Sequence, residues 1–148
     1  MSVEVQRHKT AIGRPALSLP AKLLFQSGLV TDETSVLDYG CGRGDDVKFL
    51  KELGIPAVGW DPHFIPNPAL LVPHDIVNLG FVLNVIEDPA ERQTVLTDAY
   101  ALTNKCLSVS VMLHSQNDTV TSIPHRDGQL TAKKTFQKNY EQIELEEL

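Results

Sequence analysis

Val36-Leu37-Asp38-Tyr39-Gly40-Cys41-Gly42-Arg43-Gly44 is the stretch that decides the fold. An apolar, β-prone run, Ser35-Val36-Leu37, ends in an acid, Asp38. Three glycines follow at alternate positions, and an amphipathic segment starts at once. The pattern predicts a strand, a tight glycine turn and a helix. Glycine permits positive φ and lets a ligand approach bare backbone, and a helix end offers unpaired N–H groups. A ligand is therefore expected at the carboxyl end of a parallel strand, the usual binding crevice of an open α/β sheet.

Two ligand classes use such a turn, and the spacing separates them. The dinucleotide fingerprint is G-x-G-x-x-G, whereas here the third glycine comes one residue early. Asp45 and Asp46 fall in the first helical turn, where they favour the helix dipole and would repel a docked pyrophosphate. A ligand with an ammonium and a sulfonium centre suits this acid-rich mouth better, which disfavours a nucleotide-dependent oxidoreductase. The stretch resembles the first motif of class I S-adenosylmethionine-dependent methyltransferases, an acid followed by G-x-G-x-G. The resemblance implies S-adenosylmethionine as cofactor, with Asp38, Gly40, Cys41 and Gly42 at its binding site. It also implies an α/β fold, a Rossmann-like three-layer sandwich with a mostly parallel sheet.

Outward from the loop, Val47, Phe49, Leu50 and Leu53 recur near helical period, and Gly54 ends that helix. Ala57-Val58-Gly59-Trp60 is then a short buried strand ending at Asp61-Pro62. An acid there can accept hydrogen bonds from both ribose hydroxyls of a nucleoside, and the resemblance implies that role for Asp61, with Pro62 beside it. Read alone, an acid before proline is a turn residue. Pro62, Pro66, Pro68 and Pro73 deny the next segment a regular helix, leaving Ala69-Leu70-Leu71-Val72 as a stunted third strand. His63, Phe64 and backbone groups are the candidates for holding adenine.

Residues 75–80 read as the fourth strand, and the resemblance places Asn78, Leu79 and Gly80 beside the cofactor. Asp88-Pro89-Ala90-Glu91 has the grammar of a capping box with proline at the first helical position. The helix is expected to run to about Thr103, with Val95, Leu96, Ala99 and Leu102 inward. Cys106–Leu113 alternates enough to be the fifth strand. Before the glycine loop, Ser18-Leu19-Pro20 marks a helix start, with Leu19, Leu23 and Leu24 on one face and a stop at Gly28. The expected organisation is a basic arm over 1–17, a cofactor-binding domain over 18–113, and a polar tail with a short helix over 114–148. The fold is thus expected to be shortened at strand 3 and at its C-terminal strands.

Composition is that of an ordinary globular chain, with 22% charged and 42% hydrophobic residues. The net charge of −6 is uneven: residues 1–30 carry +3 and residues 31–104 carry −8. An acidic body argues against tight nucleic-acid binding, although the basic arm is either a local patch or a solvated tail. The 2 cysteines form no C-x-x-C and no His pair has ligand spacing, so neither a disulfide framework nor a metal site is expected. No apolar run approaches ~18 residues, and the N-terminus lacks a signal-peptide core; no membrane association and a cytoplasmic location are expected.

Arg7-His8-Lys9-Thr10-Ala11, Leu17-Ser18-Leu19-Pro20, Val36 to Asp46, Val58 to Pro62, Asp75 to Pro89 and Thr135-Phe136-Gln137-Lys138 together resemble a narrower group. These are the methyltransferases encoded alongside DNA phosphorothioation genes. The resemblance implies methyl transfer in a DNA-modification context, to an unidentified acceptor that is DNA itself or a component of such a system. Methyl transfer depends mainly on orientation, and no catalytic residue stands out; His8 and Asn84 are weak candidates. The alternative is a noncatalytic S-adenosylmethionine-binding or assembly subunit of a DNA-modification system. An incomplete sheet predicts an exposed edge beside the fifth strand, and with it self-association.

Overall fold

A computed structural model describes residues 4–114 and 122–148; the first three residues of the expected arm and residues 115–121 of the expected tail lie outside it. Four parallel strands form the main sheet: β1 (Val36–Tyr39), β2 (Ala57–Trp60), β3 (His74–Gly80) and β4 (Thr103–Ser110), in the order β2-β1-β3-β4. Every residue of β1 is buried, as expected for a central parallel strand covered on both faces. Helices α1 (Leu19–Gln26) and α2 (Asp45–Glu52) cover one face, where Leu24, Val47 and Leu50 pack on Val36, Ala57 and Ile76. Helix α3 (Pro89–Ala101) covers the other, with Val95, Leu96 and Ala99 against Leu37, Val77 and Leu79. This is the expected α/β, Rossmann-like three-layer arrangement.

The caps are largely as read. Ser18 precedes α1 and accepts from the Ala21 N–H; Asp88 precedes α3 and accepts from the Ala90 N–H at 2.9 Å. Glu91 does not close the expected capping box, because its carboxylate takes Arg7 instead. On α1 only Leu24 of the three expected leucines faces the core; Leu19 and Leu23 are exposed, and Pro20 and Ala21 hold the buried positions.

Three further segments differ from expectation. Residues 69–72 are no strand: Pro68–Leu70 is a 3-10 turn that Asn67 caps by accepting from the Ala69 N–H. The last strand of the sheet starts at Thr103, not Cys106, because Thr103 aligns with His74 at the start of β3. In the tail, β5 (Ile123–His125), β6 (Gly128–Leu130) and β7 (Phe136–Gln137) form a small antiparallel sheet before α4 (Gln142–Glu146). It is pinned to α3 by Arg92, which donates to both Asp127 oxygens at 2.6 and 2.7 Å and to the Ile86 carbonyl at 2.7 Å. The buried Phe136 ring lies beneath the same guanidinium.

Candidate functional site

The carboxyl ends of β1, β2 and β3 open into a cavity of about 570 Å³, within the usual range for a small-molecule site. Because β1 lies between β2 and β3, this is the point where strand order reverses. Gly40, Gly42 and Gly44 adopt φ of 84°, 57° and 86°, conformations that a side chain disfavours. Space is short as well. A Cβ on Gly40 would lie 2.6 Å from Val82 Cγ2, and one on Gly42 would lie 3.2 Å from the Ala11 Cβ. The loop therefore turns bare backbone toward the cavity.

Asp61 ties that loop to the end of β2. One of its oxygens accepts from the Gly42 N–H at 2.9 Å, and the other accepts from the N–H groups of His63 and Phe64 at 2.8 and 3.0 Å. A carboxylate offers about four lone-pair sites, so one is left for a ligand. Asp61 is thus a turn residue and a cavity residue together.

The floor of the cavity is short of donors. Asp38 is 7% exposed and accepts from Asn78 Nδ2 at 3.2 Å. Asn78 is buried and its Oδ1 has no partner. Burial, reinforced by the nearby Asp46 carboxylate and opposed by the Asn78 amide, pushes the Asp38 carboxyl up to about 7. Asp46 accepts from Ser18 N–H and Oγ–H at 2.7 and 2.5 Å. Acidic groups and an unpaired amide oxygen gathered in one place favour a bound cationic group.

Asp38, Gly40, Cys41, Gly42, Asp61, Pro62, Asn78 and Gly80 all line the cavity. Leu79 does not. Strand side chains alternate between faces, so Asn78 and Gly80 meet the cavity while Leu79 is fully buried against α3. Cys41 contributes backbone; its side chain packs where a Gly59 Cβ would be. Burial, with Asp38 and Asp61 nearby, pushes its thiol up to about 12 and so disfavours the thiolate. Asn84 is buried and is absent from the cavity wall; its carbonyl accepts from the Lys138 N–H at 2.7 Å.

The arm is a wall that sequence reasoning touched only at His8. Val5, Arg7, His8, Thr10, Ala11 and Arg14 all line the cavity. The Arg7 guanidinium donates to Glu91 at 2.7 and 3.0 Å and to Glu87 at 3.0 Å. His8 stacks on His63 with ring centres 4.3 Å apart, and the Arg14 N–H donates to Asp45 at 2.7 Å. The only sequence signal was a run of cations followed by acids far along the chain. Phe81, just past β3, is a second surprise: it lines the cavity at φ 57°, a strained conformation for a bulky residue of the sort that collects at functional sites.

No protein-family model and no curated protein matches the chain. Among solved structures, it is similar to the Burkholderia thailandensis 1,6-didemethyltoxoflavin-N1-methyltransferase, crystallised with 1,6-didemethyltoxoflavin and S-adenosylhomocysteine. The two superpose with a TM-score of 0.63 at 19% identity, over 97% of this chain and 65% of that one. The likeness is one of fold, an α/β, Rossmann-like sandwich around a mostly parallel sheet. The chain spans about two thirds of that enzyme's length. No group of His, Cys, Asp and Glu among the described residues forms a metal site. No helix among them is long and apolar enough to cross a membrane.

Proposed function

We propose that this chain binds S-adenosylmethionine in the cavity and transfers its methyl group to an acceptor in a cytoplasmic DNA phosphorothioation or modification system. The observation that carries the reading is the hydrogen bond from Gly42 to Asp61, which sets a bare glycine loop directly beside an acid at the end of the next strand. A ligand with an amino-acid part and a ribose fits that juxtaposition. The structural relative, solved with S-adenosylhomocysteine, supports it.

The residues present fit the cofactor. Asp38 and the unpaired Asn78 Oδ1 would receive the ammonium. Gly40, Cys41 and Gly42 would lie against the methionine part, and the free lone pair of Asp61 would take one ribose hydroxyl. Pro62, His63, Phe64 and Val82 flank the space left for adenine. When bound, the cofactor supplies an electrophilic methyl group on a sulfonium. The chain's own task is to hold an acceptor in line with that bond and keep water out, an orientation effect that needs no strong acid or base. In this reading residues 1–17 are the arm, 18–113 the cofactor domain and 114–148 a bracing tail.

Calorimetric titration with S-adenosylmethionine and with NAD in parallel tests the reading. Binding of the first alone is expected; binding of NAD alone would overturn it. The main sheet has only four strands, with no strand beyond β4 among the described residues, which favours a second reading as a noncatalytic cofactor-binding or assembly subunit. Methyl transfer separates the two.

A further inference from the structure

We infer that the methyl acceptor is a compact small molecule that enters the cavity whole beneath the arm, not a base carried on a nucleic-acid strand. This rests on the cofactor reading above and concerns what shares the site. The arm crosses the cavity and is fastened along its length. At one end the Gln6 N–H donates to the Lys134 carbonyl at 2.7 Å. Arg7 then grips the start of α3 through Glu87 and Glu91, and His8 lies flat on His63. Ala11 passes over Gly42, and Arg14 and Ser18 are tied to the two acids that open α2. An acceptor can share this space only if it fits behind that strap.

Charge points the same way. Proteins that hold DNA or RNA neutralise phosphates with Lys and Arg. Here the arm's Arg7 is spent on two carboxylates of the chain itself. Five acids, Asp38, Asp45, Asp46, Asp61 and Glu91, line the same cavity against three arginines, Arg7, Arg14 and Arg43, and residues 31–104 carry a net charge of −8. A strand entering here would bring its phosphates against these acids. A small acceptor brings none. The total volume of about 570 Å³ is that of one drug-sized site, so cofactor and acceptor together must be compact.

The test uses the full chain with S-adenosylmethionine tritiated on its methyl group. It is offered three pools from phosphorothioating cells: the small-molecule ultrafiltrate, purified DNA in double- and single-stranded form, and dialysed protein. A thermal melt with S-adenosylhomocysteine runs alongside. Label appearing in the ultrafiltrate, with loss of that transfer in Arg7→Ala, is the expected result. Label in DNA or protein with none in the ultrafiltrate overturns the inference, as does transfer to no pool by a protein that S-adenosylhomocysteine stabilises. Absence of that stabilisation sinks the cofactor reading itself, and the inference with it.

Discussion

Asp38 holds a proton that an exposed aspartate would lose. Its pKa in the folded chain is about 7 against an ordinary 3.8. Below the lower value both states are protonated and the site costs nothing. As pH rises, the unfolded chain sheds the proton first, so stability falls through this window and the loss is complete above 7. Asp38→Asn removes the ionisation and should melt higher than wild type, with a gap that widens between about pH 4 and about pH 8. A gap independent of pH would show that burial does not govern this carboxyl. Asp61 carries a different lesson. As a ribose acceptor alone it should be removable without touching the fold. Its three backbone hydrogen bonds mean that Asp61→Ala should also lower the ligand-free stability, by about 1–3 kcal/mol. Urea unfolding without ligand measures that loss, and an unchanged midpoint would contradict it.

At the scale of elements, the arm makes the clearest claim. Arg7 and Glu87 are half-buried, with side chains 33% and 23% exposed, and ion pairs that still reach solvent are worth about 0–1 kcal/mol, so Arg7→Ala should lower the melting temperature only slightly. It should nonetheless free the arm, read as faster amide hydrogen exchange across residues 5–12 with α2 and α3 unchanged. Protection equal to wild type would show that the Arg7 pairs do not hold the strap. The local grammar of strand, glycine turn, helix and cap was legible because each part is set by residues a few positions apart. The arm was not, since Arg7 meets Glu91 from 84 residues away and its periodicity is weak. Leu19 and Leu23 suited either face of α1 until the sheet chose Ala21 and Leu24. The prolines of 62–73 excluded a helix but not a 3-10 turn. The small tail sheet rests on strands of two or three residues, too short to show a period. At the site, the glycines stood out by their spacing and Asp61 only through the family resemblance, whereas the Leu79 side-chain direction depended on strand register.

For the molecule as a whole, β2 and β4 are the two edges of the main sheet among the described residues, and β4 is the one expected to recruit a partner. Its Asn104 and Lys105 are exposed, and a single bridge between Leu113 and Tyr140 lies just past its end. Such edges pair with other chains, and we propose that two copies associate there. Light scattering at high concentration should report a mass above the monomer; a strictly monomeric, well-folded species would argue against it.

The central claim is that the cofactor lies against the glycine loop, and Gly42 tests it most directly. Its φ is 57°, and a Cβ there would lie 3.2 Å from the Ala11 Cβ. Gly42→Val therefore adds strain of about 1–3 kcal/mol and fills the space where the methionine part would lie. Strand β1, helix α2 and their core contacts are untouched, so binding should fail before folding does. Thermal melts of wild type and Gly42→Val, each with and without S-adenosylmethionine, give the answer. The account requires a ligand-induced rise in melting temperature for wild type that is absent from the variant. An equal rise in both proteins would contradict it.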